Sequence, residues 1–263
     1  RDYHEDIGLS QSWDALSRAL NCGRASSFFN RLHRALAKIR GEVVAPIEKE
    51  TWYLEACFSA WDKVIQMAGL DPSRRTAWLK ETEAYLNSLN HTTFCQGLER
   101  LGLLTAFDTK RPKGVAATDC QWLIGGPSPF VLTIEAKIEH KASTEIDRDD
   151  VNQAGGQVRE LEKTHKKVYG AIATHLTGID DPGRAALGPI RLFHKDLFVQ
   201  ILQRIGPLFE RYASERGQIN RQVSVGLSIE LKKTFPSPYV LSEVILLSKG
   251  AFVENSEVFS KWP

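Results

Sequence analysis

The sequence predicts an α/β fold: a mixed central sheet flanked by helices, preceded by a helical N-terminal region. Three observations carry that expectation. Apolar residues recur at helical spacing through roughly the first 80 residues, and the period turns strand-like after Gly114. Around that switch the elements then follow in the order helix, strand, strand, helix, strand. The expected division is a helical region at residues 1–78 and an α/β domain at 79–263.

The helical part divides as follows. Phe28, Phe29, Leu32, Ala35, Leu36 and Ile39 share one stripe between Ser27 and Arg40, with Arg31, Arg34, Lys38 and Arg40 on the remaining surface. Gly41 ends that pattern. A second helix is expected from Lys49 to about Gly69, with Leu54, Phe58, Trp61 and Ile65 at core spacing. Leu70-Asp71-Pro72-Ser73 reads as a turn in which Pro72 suits a helix start. A third helical stretch, about Arg75 to Leu104, carries a break near Asn90. Trp13, Trp52, Trp61 and Trp78 are expected in the helical core.

Strands are expected at Val115 to Ile124 and Phe130 to Glu139, joined by the tight connection Gly125-Gly126-Pro127-Ser128-Pro129. A helix follows from about Asp149 to His165, its first turn rich in acid and its end marked by Lys163, Lys166 and Lys167. Val168 to His175 is apolar enough for a buried central strand. Asp180-Asp181-Pro182-Gly183 reads as a turn, Ile190 to Phe193 as a short strand, and Lys195 to Ala213 as a helix. Val223 to Leu231 alternates like a strand, and Tyr239 to Leu247 fits strand or helix.

Bulk composition sets limits. With 263 residues, 42% hydrophobic and 25% charged, the chain can bury a core without disulfides or metal. No apolar run is long enough to span a bilayer and the first segment is too polar for a signal peptide, so a cytoplasmic protein without a membrane partner is expected. The start at Arg1 suggests further domains of a longer polypeptide. Cys22, Cys57, Cys95 and Cys120 form no CxxC pair and are read as buried thiols, none at zinc-ligand spacing from a histidine. A net charge of +2 permits a DNA partner without arguing for one.

The informative run is Val131-Leu132-Thr133-Ile134-Glu135-Ala136-Lys137-Ile138-Glu139. Alternation along a strand puts Leu132, Ile134, Ala136 and Ile138 on one apolar face and Glu135 with Lys137 on the other. Burying an acid and a base there costs several kcal/mol unless something compensates, and a bound cation beside a phosphate does so. Asp119 supplies a second acid from the preceding strand. Two carboxylates, the Ala136 carbonyl and waters make the hard-oxygen set that Mg²⁺ takes, with Mn²⁺ able to substitute. Lys137 is placed to orient or deprotonate water and offset charge at a phosphorus centre. The plainer alternative for all three residues is a structural ion pair.

Thr118-Asp119 followed by Ile134-Glu135-Ala136-Lys137 resembles the motif of the PD-(D/E)XK, or restriction-endonuclease-like, nucleases, with Thr118 where the motif often has Pro. The resemblance spans roughly residues 84–198 and is nearest in layout to FokI-like type IIS cleavage domains. There too a Gln-bearing helix, here with Gln153 and Gln157, follows the Lys strand, and an apolar strand ending in a His, here His175, comes next. It implies an α-β-β-β-α-β core and Mg²⁺-dependent hydrolysis of DNA to 5′-phosphate and 3′-hydroxyl ends. Asp119 and Glu135 are then metal ligands with the Ala136 carbonyl, and Lys137, Gln153 and Gln157 are site residues. It further implies a restriction or defence setting, a homodimer or repeated nicking for double-strand cleavage, and targeting by another domain. An extra acid on the first helix falls to Glu83 or Glu99, between which the sequence does not choose.

Several patterns have plainer readings. Lys110-Arg111-Pro112-Lys113 fits a loop at DNA backbone or a solvated loop equally well. Asp147, Asp149 and Asp150 lack the Gly and closing Glu of a calcium loop. The rival functions are a structure-selective repair or recombination nuclease, and a non-catalytic nucleic-acid-binding module on the same fold.

Overall fold

The computed structural model describes residues 49–113, 117–126, 128–141, 144–215, 245–246, 248 and 250–260. The Phe28 stripe with its basic residues, Trp13, Cys22 and the expected strand at 223–231 lie outside the described residues. Of the ambiguous 239–247 segment, Ile245 and Leu246 are described and are helical.

Helix α1 spans Lys49–Ala68 and buries Tyr53, Cys57, Ala60, Trp61, Val64 and Ile65 along one face. It stops at Gly69, whose φ of +98° suits a residue without a Cβ and lets its N–H bond the Ile65 carbonyl at 2.8 Å. Helix α2, Pro72–Asn87, is capped by Asp71, which accepts from the Ser73 N–H, with Pro72 in the first turn. Helix α3, His91–Leu104, is capped by Asn90 through the Thr93 N–H. The expected break near Asn90 is therefore a pair of separately capped helices. The division expected at 78/79 falls inside α2, and Trp61 of α1 shares one core with Leu98, Trp122 and Phe198.

Five strands follow: β1 Asp108–Lys110, β2 Cys120–Ile124, β3 Phe130–Lys137, β4 Val168–Thr174 and β5 Ile190–His194. Helix α4 (Arg148–Glu162) links β3 to β4, α5 (Asp181–Ala186) precedes β5, and α6 (Lys195–Glu215) and α7 (Asn255–Ser260) complete the described elements. The sheet order is β1-β2-β3-β4-β5; β2 is antiparallel to β1 and β3, while β3, β4 and β5 run parallel. The chain is thus an α/β protein with a mixed five-stranded sheet flanked by helices.

β3 is the middle strand and both of its faces are covered. Leu132, Ile134, Ala136 and Ile138 join the core built with α3 and α6. Across the sheet, Ile172 and Leu192 pack with Val151, Ala154 and Val158 of α4. Parallel strands need such crossover helices, which explains why β4 carries apolar Ala171, Ile172 and Ala173 at the centre of its buried half.

Some expected boundaries shift. Asp119 lies just before β2 rather than within a strand from Val115, although the register Cys120↔Ile134 continues to place it opposite Glu135. α4 begins one residue earlier than expected, because Asp147 and Asp150 form a reciprocal capping box, and ends at Glu162. The expected turn at Asp180–Gly183 is the start of α5: Asp180 caps it by accepting from the Gly183 N–H at 2.6 Å. β3 and β4 end at Lys137 and Thr174, short of Glu139 and His175.

Candidate active site

Strand alternation sets the site. Glu135 and Lys137 project from β3 on the side covered by α4, opposite the apolar face of Leu132, Ile134, Ala136 and Ile138. Glu135 is only 3% exposed. A carboxylate that deep needs partners, and α4 supplies them one turn apart. Gln153 Nε2 donates to Glu135 Oε1 at 2.6 Å, and Gln157 Nε2 donates to Oε2 at 2.7 Å. Both glutamines thus meet the Glu135 carboxylate.

Lys137 is equally constrained. Its Nζ lies 2.8 Å from Gln153 Oε1, 3.3 Å from Glu135 Oε1 and 3.2 Å from Asp150 Oδ1. An ammonium has three N–H donors, and here they meet three acceptors. Asp150 is the residue that sequence reasoning missed. From sequence it reads as a first-turn acid that suits the helix dipole, and it does accept weakly from the Asp147 N–H at 3.4 Å through Oδ2. Only the docking of α4 on β3 turns its other oxygen onto Lys137.

Asp119 sits at the mouth of the β2–β3 hairpin. Its Oδ2 accepts the Ala136 N–H at 2.7 Å, and its Oδ1 lies 2.9 Å from His91 Nε2. The preceding Thr118 is buried and donates to the Ile134 carbonyl at 3.0 Å, so the chain is anchored immediately before the acid. A strand residue turns its N–H and C=O toward the same edge. The Ala136 carbonyl therefore faces the edge where Asp119 stands. Two carboxylates and that carbonyl are a donor set that fits a hard divalent cation.

The electrostatics follow from this crowding. Burial, and then the negative charge of Asp119, raise the pKa of Glu135; Gln157 and Lys137 oppose the rise without cancelling it. Burial pulls Lys137 down, but Glu135 and Asp150 together outweigh it and leave its pKa raised. Cys95 is fully buried near the site, and burial foremost, with Asp119 next, pushes its thiol up to about 12.

Comparison of the chain with protein-family models, with curated proteins and with solved structures gives no match. Function must therefore be argued from these side chains alone.

The remaining sequence candidates divide. Glu83 is engaged by Gln203 Nε2 of α6 at 2.8 Å. Glu99 lies on α3, two turns beyond His91 and 3.9 Å from Arg111, and burial raises its pKa. Lys110 belongs to the edge strand β1, and Lys113 is exposed. Cys57, Cys95 and Cys120 are free and buried. The expectation that no cysteine stands at ligand spacing from a histidine is corrected: His91 and Cys95 are one helical turn apart, with Sγ 3.8 Å from Nε2. The His91-x-x-x-Cys95 spacing was visible, but Asp119, the third donor, comes from a distant segment.

Proposed function

We propose that the chain is a Mg²⁺-dependent endodeoxyribonuclease built on a restriction-endonuclease-like core, serving as the cleavage module of a restriction or defence enzyme in the cytoplasm. The observation that carries the reading is the joint placement of Asp119, Glu135 and Lys137. Asp119 stands across the β2–β3 register from Glu135, Lys137 shares Glu135's face of β3, and two glutamines of α4 orient the carboxylate. The order α3-β1-β2-β3-α4-β4 agrees with an α-β-β-β-α-β core.

In this reading Asp119, Glu135 and the Ala136 carbonyl hold the ion. Held there, a divalent cation would supply polarisation of the scissile phosphodiester and acidification of the attacking water. Gln153 and Gln157 fix the rotamer of Glu135. Lys137, with its pKa raised, keeps its proton at neutral pH and so acts as a fixed cation that orients water and offsets phosphorane charge. Asp150 positions Lys137. DNA is the substrate, and a homodimer or repeated nicking would give double-strand breaks, with targeting left to further domains.

One observation favours a second reading, a non-catalytic nucleic-acid-binding module. Both oxygens of Glu135 and all three donors of Lys137 have partners within the protein. A cleavage assay with Mg²⁺ on plain duplex, branched and single-stranded DNA, comparing wild type with Lys137→Ala and Asp119→Ala, separates the possibilities. Duplex cleavage lost in both variants supports the restriction-type reading. Preference for branched DNA moves it to a repair nuclease, and binding without cleavage supports the second reading.

A further inference from the structure

Three unlike donor atoms converge where the first turn of α3 meets the start of β2. His91 Nε2, Cys95 Sγ and an Asp119 carboxylate oxygen all lie within 4.8 Å of one another. Nε2 lies 2.9 Å from Asp119 Oδ1 and 3.8 Å from Cys95 Sγ. Zinc bonds of ordinary length meeting at a tetrahedral angle separate N from O by about 3.4 Å and S from N by about 3.6 Å. The observed spacings lie within about half an ångström of those figures.

A Cys-His-Asp arrangement invites a rival explanation, an activated thiol nucleophile. That chemistry needs the thiol at one imidazole nitrogen and the carboxylate at the other, so that the ring passes a proton between them. Here one nitrogen, Nε2, faces both. A single nitrogen cannot relay between two partners on its own side, but it can share a centre with them. Cys95 is also fully buried, which suits a ligand and not an attacking group.

From this convergence we infer that His91, Cys95 and Asp119 form a binding site for a thiophilic divalent cation such as Zn²⁺, with water completing its coordination. Two backbone contacts preset the donors. The Ala136 N–H holds Asp119 Oδ2, which leaves Oδ1 facing the other two, and Glu139 Oε1 accepts the His91 N–H at 3.0 Å. The side chains of His91 and Asp119 are 33% and 18% exposed, enough to admit an ion and a water. Asp119, Glu99 and Glu135 lend negative charge to the surroundings of Cys95, and Arg111 opposes it. Binding would send the Cys95 thiol proton to solvent as the metal–sulfur bond forms, and a proton on His91 Nε2 would leave or give way to the Nδ1–H tautomer, freeing the Nε2 lone pair for the metal.

The site shares Asp119 with the magnesium centre of the preceding reading, so it is tested by binding rather than cleavage. The chelator-treated full chain is titrated with Co²⁺, whose thiolate complex gives a charge-transfer absorption, and then with Zn²⁺ to displace it. One equivalent is expected to produce the band. Cys95→Ser should remove it, and His91→Gln should weaken Co²⁺ binding on the order of 10–100-fold. Circular dichroism checks folding; if Cys95→Ser does not fold, the half-exposed His91→Gln decides. No band in wild type, a band persisting in Cys95→Ser, or unchanged affinity in His91→Gln overturns the inference. A chain that binds cobalt in this way but cuts no DNA leaves this site standing while the nuclease reading fails.

Discussion

Gln157 Nε2 donates to Glu135 Oε2 at 2.7 Å, and both residues are almost wholly buried between β3 and α4. A buried carboxylate oxygen that loses its donor bears its full desolvation penalty. Gln157→Leu should therefore lower stability by ~1–3 kcal/mol. It should also raise the Glu135 pKa further, since the hydrogen bond from Gln157 is one of the effects holding it down. Urea unfolding at two pH values checks both; equal losses at acid and neutral pH would refute the link to Glu135 ionisation.

Glu135 gives stability and activity opposite pH dependences. Its pKa is raised by burial and by Asp119, so the folded state holds the carboxyl proton more tightly than the unfolded chain does. That stabilisation is fully present below the ordinary glutamate value and is lost as pH rises through the raised folded value. Metal binding needs the carboxylate, so cleavage at Mg²⁺ well below saturation should instead fall as pH drops through the value raised in the metal-free protein. The pH profile of single-turnover cleavage at such low Mg²⁺ measures it, because a bound cation itself favours the ionised carboxylate. An acid limb at the ordinary carboxylate position would contradict the assignment.

Asp119 has a structural and a chemical part that one substitution can separate. In Asp119→Asn the side-chain carbonyl can still accept the Ala136 N–H, but the charge that holds a cation is gone. The variant should unfold within about 1 kcal/mol of wild type. It should lose at least ~100-fold in Mg²⁺-dependent cleavage, the scale of removing one electrostatic stabiliser. If cleavage is retained, Asp119 is not a ligand of the catalytic ion.

Asp150 is expected to act through Lys137, which it approaches to 3.2 Å. Asp150→Asn should reduce cleavage less than Lys137→Ala, for which ~10²–10⁴-fold is the usual scale of a positioned proton-transfer or charge group. With a raised pKa, Lys137 contributes stability that is present below the ordinary lysine value and is lost as pH rises through its folded value. Alkaline unfolding curves of wild type and Lys137→Met test this. The difference between them should narrow at high pH.

The seam between α3 and the sheet depends on Gly102. A Cβ there would lie 2.3 Å from Thr109 Cγ2 and 2.8 Å from the Trp122 indole nitrogen. Gly102→Ala should cost ~1–3 kcal/mol as overpacking, despite alanine's better helix propensity. Thermal denaturation decides, and a stabilised variant would show that α3 can shift away from β2.

Local periodicity was enough to determine α1 to α4, the hairpin β2–β3, β4 and the two faces of β3, because these depend on side-chain spacing within one segment. Strand alternation places Glu135 and Lys137 on one face of β3, whereas Gln153 and Gln157 are named through the family resemblance. Tertiary structure alone decided what those faces meet. The acid Asp150 reads as a helix-start residue until α4 is laid against β3. His91 and Cys95 are ordinary residues of α3 until Asp119 arrives from the hairpin mouth. The start of α4 moved by one residue where Asp147 capped it, and the Asp180 cap made the expected turn the start of a helix. Spacing along the chain reports which way a side chain points. Only the packing of distant segments, which buries charge and so demands partners, brings donors and acceptors together into a site.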